Sequence, residues 1–396
     1  MSQTASGPEV DNPLVADVVR SNGESRKTLA PEETLPRRDV WLLPLVVILV
    51  VVVVLGASEL VARRLFPERG RFSCGQEAGS GGHHFKANCV MHYKNPEGPD
   101  VEYRFNECGY RSGAPCGPKA PGTLRVVLMG TSVTMGLYVP EDQTLAARIE
   151  KTLGGVCRRR LEVENLGAIV DMASQPEVVD EAIGLSPDVV VLTVSPYDVE
   201  ESPPANESKP QPLTISAKSK DYWRRLKLRI RNSSFVLAAV HFSLLNEQIL
   251  YHVFLGNGAS RDLMSSPPTP GGDRMYSDFS AILGRMMPKL RSAGIPVVVV
   301  AVPNRAAAAM VSNHSRVEGI DPWLFGRRIS EIARQQGALP VDVTSRFATS
   351  PHAERLFYAV DNHPKGAAHA LIADALLEHL TSGSILQMAP CGASPP

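Results

Sequence analysis

The stretch LRVVLMGTSVTMG, residues 124–136, is the part of the sequence that decides the fold class. Its first six residues are mostly aliphatic and β-branched, which predicts a strand buried on both faces. The glycine that follows predicts a tight turn, and the next residues open a helix. A buried strand that turns directly into a helix is the repeating unit of a parallel α/β sheet.

Four further runs of the same character follow along the chain: LEVENLG, DVVVLTV, PVVVVAVP and LPVDVT. Stretches with helical periodicity lie between these runs, among them EDQTLAARIEKTL, ILGRMMPKLRSAG and WLFGRRISEIARQQG. The alternation predicts a parallel sheet covered by helices on both faces, which is a three-layer αβα sandwich.

An apolar segment near the N-terminus, WLLPLVVILVVVVVLGAS, predicts a transmembrane helix. At ~1.5 Å per residue, the uncharged stretch from Val40 to Ser58 nearly crosses a ~30 Å hydrocarbon core. A cleaved signal peptide and a buried core helix are the alternatives. We therefore expect a disordered tail over residues 1–39 and a membrane span over residues 40–60.

Charge excludes one class of partner. Lysine and arginine total 41 residues, as do aspartate and glutamate, so the formal net charge is zero. Such a chain lacks the cationic field of nucleic-acid-binding proteins, and we expect no nucleic-acid partner. Basic residues flank the apolar segment on both sides, so they do not decide its orientation in the membrane.

Four cysteines cluster just after the apolar segment: Cys74, Cys89, Cys108 and Cys116. Short loops closed by a pair such as Cys74 with Cys89 and Cys108 with Cys116 suit an oxidising compartment. Four unrelated thiols are one alternative, and a zinc site with the nearby His83, His84 and His92 is another. Disulfides would place the chain beyond the span in the periplasm or outside the cell.

The remaining boundaries follow from composition. Residues 61–122 are rich in Gly, Pro and Cys and read as an irregular head segment. The main domain covers residues 123–382, and residues 383–396 form a tail. Residues 203–272 are an insertion that contains KSKDYWRRLKLRIR and then SSFVLAAVHFSLLNEQILYHVFLG. We interpret the insertion as a helical lid or an interfacial helix; a second membrane span and a solvated helix face are the alternatives.

Polar residues with catalytic chemistry follow the predicted strands. Ligands bind beyond the carboxyl ends of parallel strands, and Ser132 lies there, between a glycine turn and a helix. Asp361 and His363 lie in the loop before the last helix, two residues apart, so the carboxylate can reach the imidazole in an extended loop. A serine needs such a base and orienting acid to become nucleophilic. Asn304 and Arg305 follow the fourth strand and either contact the substrate or form a turn.

These residues resemble the blocks of the SGNH/GDSL hydrolase family. Five positions match it in order and spacing: Gly130, Ser132, Gly167, Asp361 and His363. The lead-in YRFNECGYRSG is similar to a segment of membrane-anchored bacterial members. The resemblance implies a flavodoxin-like sheet of five strands in the order 2-1-3-4-5, and catalysis without metal or organic cofactor.

The resemblance also implies an oxyanion hole made by the backbone N–H groups of Ser132 and Gly167. Two departures bear on it. Thr131 stands where the family has aspartate, and Tyr197 stands where it has the asparagine that donates the third hydrogen bond. We keep Tyr197 as a candidate third donor, because its hydroxyl can donate. Asp198 matches the family, and we expect it to be a helix N-cap or a hydrogen-bond acceptor in a loop.

The expected function is hydrolysis of acyl or acetyl esters at the cell envelope through an acyl-serine intermediate. The substrate would be an ester-bearing glycan or lipid, and the N-terminal helix would hold the protein in the membrane. An O-acyltransferase that acts on envelope glycans is one alternative. A non-catalytic binding module on a decayed hydrolase fold is the other, because losing one oxyanion donor typically costs ~10²–10³ in turnover.

Overall fold

A computed structural model describes residues 37–75, 85–200, 233–256 and 258–391. The chain divides into two compact units, Met1–Ala57 and Ser58–Pro396. Helix α1 (Arg37–Leu65) runs through the boundary between them. Its segment Trp41–Leu65 is long and apolar enough to cross a membrane by length and composition, and it is almost entirely unburied. The predicted tail before residue 37 lies outside the described residues.

The central sheet has five parallel strands: β4 (Leu124–Met129), β5 (Leu161–Asn165), β6 (Val189–Val194), β7 (Val297–Ala301) and β8 (Leu339–Asp342). Their order is β5-β4-β6-β7-β8, which confirms the predicted order 2-1-3-4-5. Strands β4 to β7 are buried at every position. Arg125 interrupts the apolar run of β4 and forms an ion pair of 2.7 Å with Glu162 on the neighbouring strand.

Helices cover both faces of this sheet. Helices α3 (Leu145–Val156) and α13 (Gly366–Thr381) pack on one face, and α4 (Gln175–Gly184), α9 (Pro270–Ser292) and α11 (Leu324–Gln335) pack on the other. Alternate residues of β4 enter the two cores: Val126 faces α3 and α13, and Val127 faces the opposite layer. The αβα sandwich is confirmed.

Short helices complete the described part of the chain: α2 (Ser132–Met135), α5 (Pro196–Glu200), α6 (Ser234–Ser243), α7 (Glu247–Gly256), α8 (Gly258–Asp262), α10 (Arg305–Ser312) and α12 (Thr344–Ala348). Helices α6 to α8 belong to the insertion. With ten residues each, α6 and α7 are too short to cross a bilayer, so the alternative of a second membrane span is wrong for this segment. The basic stretch KSKDYWRRLKLRIR lies outside the described residues.

The head segment is more regular than the sequence indicated. It forms a three-stranded antiparallel sheet of β1 (Arg69–Gly70), β2 (Val90–Lys94) and β3 (Asp100–Arg104). Aromatic side chains of this sheet pack with Met135 and Leu137, which lie shortly after Ser132 along the chain. The head segment thereby forms part of the unit that contains Ser132.

Three disulfides cross-link the chain. The predicted pairs Cys74–Cys89 and Cys108–Cys116 are confirmed, which removes the thiol and zinc alternatives for these four residues. The third bond, Cys157–Cys391, was not predicted. It ties the end of α3 to the segment 383–391, where Met388 and Cys391 are buried, so this part of the predicted tail is packed structure.

Candidate active site

Ser132 follows a turn whose backbone conformation requires glycine at position 130. Gly130 has φ +140°, and a Cβ on it would lie 2.2 Å from Thr134 Oγ1. Strand β4 therefore ends abruptly at Met129, and Ser132 becomes the first residue of α2. The side chain of Ser132 lines a cavity at the carboxyl end of the sheet, the position that the sequence predicted.

The structure brings Ser132, His363 and Asp361 together. His363 Nε2 lies 2.8 Å from Ser132 Oγ, and His363 Nδ1 lies 2.5 Å from Asp361 Oδ1. If the carboxylate accepts the Nδ1 proton, Nε2 is left as the acceptor for the serine hydroxyl proton. This arrangement can activate the hydroxyl as a nucleophile and stabilise the imidazolium that results.

The loop reaches this geometry differently from what the sequence suggested. The expectation was an extended loop, but the intervening Asn362 has φ +68°. Asparagine is one of the few residues other than glycine that adopts this left-handed conformation readily. The turn lets the Asp361 carboxylate also accept the backbone N–H of His363 at 3.3 Å.

A buried carboxylate from the head segment holds this loop. Glu97 accepts the N–H groups of Val360 (3.0 Å) and Asp361 (3.0 Å). Its side chain is only 3% exposed, and it also pairs with His241 Nδ1 on α6 at 2.6 Å. Sequence analysis did not find Glu97, because its partners are backbone groups more than 260 residues away.

A buried cation holds the same loop from the other side. Arg305 donates to the carbonyl oxygens of Ala359 (2.6 Å), Leu244 (2.8 Å) and Glu354 (3.2 Å). Burial lowers the pKa of Arg305. Asn304 caps α10 by accepting the N–H of Ala307. The two residues therefore begin a helix and do not form the turn that the sequence suggested, and neither is among the residues that line the cavity.

Tyrosine side chains pack around His363, the candidate base. The ring of Tyr138 meets the His363 ring edge-on at 5.6 Å. Its backbone is fixed by two other hydroxyls: the N–H donates to Tyr103 Oη and the carbonyl accepts from Tyr358 Oη, both at 2.8 Å. Burial raises the pKa of Tyr138 and of Tyr358, so both side chains stay neutral. Their role around His363 is packing.

The departure at Thr131 has a structural explanation. Thr131 Oγ1 donates to Asp198 Oδ1 at 2.5 Å, and Asp198 Oδ2 accepts from the N–H and the hydroxyl of Ser195. Burial raises the pKa of Asp198. Asp198 is a hydrogen-bond acceptor as expected, but it lies inside α5 and is neither a helix N-cap nor a loop residue. An aspartate at position 131 would face this buried carboxylate, whereas threonine satisfies it.

Of the three expected oxyanion donors, only one is unengaged. No acceptor among the described residues takes the N–H of Ser132. The N–H of Gly167 donates to Asn165 Oδ1 at 3.0 Å. A Cβ on Gly167 would lie 2.3 Å from the backbone nitrogen of Met135, so glycine is needed there for contact with α2. Tyr197 lines the cavity, but its hydroxyl is buried and its ring packs against α7 and α10.

The cavity beside Ser132 measures about 400 Å³. Its lining consists of Thr131, Ser132, Val133, Leu137, Ile169, Val170, Asp171, Met172, Ser195, Tyr197, Asp198, Asp361 and His363. Most of the wall away from the Ser132–His363 pair is aliphatic or aromatic, and gives an acyl chain an apolar surface. Among the described residues, one group with potential metal ligands (Glu247, His352 and Glu354) lies outside this lining.

No protein-family model matches the chain, and comparison with curated proteins also gives no match. Comparison with solved structures does find similar chains. Structures similar to this chain are those of ester hydrolases. The similarity is low, so it describes these neighbours only. The functional conclusion for this chain rests on the geometry of the site.

Three such structures illustrate the similarity. A catalytic mutant of Axe2, an acetylxylan esterase from Geobacillus stearothermophilus, is 14% identical with a TM-score of 0.39, over 69% of this chain and 97% of that one. A lipolytic protein of the G-D-S-L family from Desulfitobacterium hafniense is 13% identical with a TM-score of 0.33, over 64% of this chain and 97% of that one. A lipase/acylhydrolase from Enterococcus faecalis is 11% identical with a TM-score of 0.38, over 65% of this chain and 95% of that one.

Proposed function

We propose that this chain is a membrane-anchored serine ester hydrolase. One observation carries the proposal: a continuous hydrogen-bonded path runs from Ser132 Oγ through both ring nitrogens of His363 to the Asp361 carboxylate. A binding module has no use for this path, whereas acyl transfer to serine requires it.

In the first half of the reaction, Ser132 Oγ attacks the ester carbonyl carbon while His363 Nε2 takes the hydroxyl proton. The tetrahedral intermediate collapses, the C–O bond to the alcohol breaks, and the imidazolium returns the proton to the leaving alkoxide. Water then attacks the acyl-serine with His363 as the base, and the acid leaves while Ser132 regains its proton. Asp361 orients His363 and stabilises its charged form throughout.

We propose that the oxyanion is stabilised by the N–H of Ser132, the first residue of α2, which has no acceptor among the described residues. Gly167 remains our second candidate, and its N–H must exchange Asn165 Oδ1 for the oxyanion to serve this role. Tyr197 remains the third candidate. Its buried hydroxyl supports a two-donor hole in which the tyrosine ring is part of the wall.

We propose that the substrate is an acyl or acetyl ester of an envelope glycan or lipid. The apolar lining of the cavity supports an ester with a hydrocarbon acyl group. The apolar segment Trp41–Leu65 supports a membrane anchor, and the disulfides of the head segment support a site on the periplasmic or outer side.

Labelling with a fluorophosphonate probe tests this function, because the reagent reacts with activated serines only. The full chain in detergent or membranes should be labelled on Ser132, as located by peptide mass spectrometry. The Ser132→Ala variant should not label, while the control Ser174→Ala should label normally. A folded wild-type protein that does not label would favour the binding module. Adding an alcohol acceptor to the assay separates hydrolysis from acyl transfer.

A further inference from the structure

Helix α6 is apolar but contributes nothing to the core. Its sequence SFVLAAVHFS contains seven residues of Phe, Val, Leu and Ala type, and none of its ten residues is buried. Phe242 is 59% exposed and Leu245, just after the helix, is 54% exposed. Helix α7 also carries an exposed apolar side chain, Val253, at 51%. A soluble protein rarely leaves such a surface open to water.

The N-terminus of α6 is bound to the end of the membrane-spanning segment. Glu59 accepts the hydroxyl of Ser233 (2.6 Å) and the N–H of Phe235 (2.9 Å), so it caps the helix. Counted from Trp41, Glu59 lies ~27 Å along α1 at the standard helical rise. That length nearly equals the ~30 Å hydrocarbon thickness, so the capping point lies near the membrane surface.

The last turns of α1 continue the same apolar surface. Leu60 and Leu65 are 68% and 65% exposed. Phe66, directly after α1, contacts the rings of His241 and Phe242 at 5.1 Å and 6.0 Å. The exposed side chains at the end of α1 therefore lie beside those of α6. If α1 spans the membrane, this surface has hydrocarbon and headgroups next to it.

We propose that α6 and the start of α7 form a lipid-contacting surface, made of Phe235, Val240, Phe242, Leu245 and Val253, which lies in the interface of the bilayer that α1 spans. The proposal rests on the membrane anchor of the proposed function. The occupant is a lipid surface because α6 contacts the apolar end of α1, where Phe66 packs against Phe242 and Glu59 caps α6. The other side of α6 faces the active site, through His241 and Glu97.

Brominated phosphatidylcholine tests the contact, because bromine on the acyl chains quenches tryptophan emission only at short range. The full chain would be reconstituted into nanodiscs with and without the brominated lipid. Phe242→Trp adds a probe on the proposed surface, and Val253→Trp is a second probe should the first variant misfold. Leu386→Trp, at a side chain that is 81% exposed on the C-terminal turn, is the control.

We expect the emission added at position 242 to fall by about half or more in brominated lipid, and the emission added at position 386 to stay unchanged. Equal quenching at the two positions would overturn the proposal. Iodide in the aqueous phase quenches tryptophan that is open to water. If position 242 is protected from iodide but is not quenched by bromine, the proposal is also overturned, because a second copy or another protein would then cover the surface.

The same data separate the two proposals. Wild-type emission includes Trp41, which lies in the candidate span. If brominated lipid leaves wild-type emission unchanged, the membrane anchor and the lipid-contacting surface are both wrong. Labelling of Ser132 by fluorophosphonate would still decide the hydrolase independently.

Discussion

The carboxylate of Glu97 accepts the backbone N–H of Asp361 at 3.0 Å, so the residue that orients the candidate base is itself held by a buried acid. Glu97 belongs to the head segment, in the turn between β2 and β3. The head segment thereby supplies part of the scaffold of the site. Hydrogen bonds from N–H groups to a buried charge are among the stronger ones, which makes this contact testable.

Replacing Glu97 with glutamine should misplace the loop of Asp361 and His363. We expect Glu97→Gln to lower kcat roughly tenfold with little change in KM, since a loop displacement of about 1 Å is costly for catalysis. Steady-state kinetics on a short-chain aryl ester measure this effect. Glu102→Gln on β3, where the acid is partly exposed, is the matched control. Unchanged kcat in folded Glu97→Gln would show that the loop holds its shape without this carboxylate.

The Ser132 and His363 side chains should act as one unit. We expect Ser132→Ala and His363→Ala each to reduce kcat by at least about 10³-fold, and the double variant to be little worse. Asp361→Asn should be milder, because the serine and imidazole remain. Esterase assays of the four proteins, with circular dichroism to check folding, provide the measurement. Full activity in Ser132→Ala would end the serine-hydrolase hypothesis.

Tyr197 should matter through its ring. Since the hydroxyl is buried and the ring packs against α7 and α10, Tyr197→Phe should leave kcat within about threefold, whereas loss of an oxyanion donor costs ~10²–10³. Tyr197→Asn restores the asparagine of the SGNH/GDSL pattern and tests whether a third donor raises turnover. A hundredfold loss in Tyr197→Phe, with KM unchanged, would instead identify the hydroxyl as a donor.

The contact between Thr131 and Asp198 should make position 131 intolerant of a second acid. We expect Thr131→Val to lose roughly 1–2 kcal/mol of unfolding free energy through the missing hydrogen bond. Thr131→Asp should lose more, and its deficit should grow from about pH 5 to about pH 8, because two adjacent carboxylates resist double ionisation. Urea unfolding at both pH values decides the matter. Equal stability of the two variants at high pH would contradict this electrostatic explanation.

Glu164 on β5 should make folding pH-dependent. It is fully buried, and burial raises its pKa from 4.5 to about 7. The folded state thus binds this proton more tightly than the unfolded state, so the contribution of Glu164 to stability is greatest below pH 4.5 and is lost as pH rises through 7. The shift corresponds to roughly 3 kcal/mol. Glu164→Gln should flatten the curve of melting temperature against pH, whereas the exposed control Glu331→Gln should not. An unaltered slope in Glu164→Gln would place the titration elsewhere.

The fold was predictable because strands that are buried on both faces appear in the sequence as nearly continuous apolar runs. Strands such as Val189–Val194 and Val297–Ala301 are aliphatic apart from Thr193, and their alternation with helices permits few topologies. Ser132, Asp361 and His363 were predictable because each follows a strand or precedes a helix at the same sheet edge. The local disulfides were predictable from close spacing and a shared compartment.

Features that depend on distant packing left no such trace. Cys157 and Cys391 are 234 residues apart, and nothing local pairs them. Glu97 and Arg305 act on backbone groups, which every residue carries, so residue type alone gives no indication of their partners. The position of Tyr197 at the cavity was predictable, but the direction of its hydroxyl depends on α7 and α10, which the sequence did not place.

The bond between Cys157 and Cys391 sets the order in which this protein can mature. Closing a loop of this length removes roughly 5 kcal/mol of entropic freedom from the unfolded chain in the simplest polymer treatment. The bond cannot form before residue 391 has been synthesised, by which time the chain already contains every strand of the sheet. Until then Cys157 is an unpaired thiol, open to the wrong partner among the cysteines of the head segment. Correct assembly therefore requires either that the head pairs close first or that an isomerase repairs the exchange.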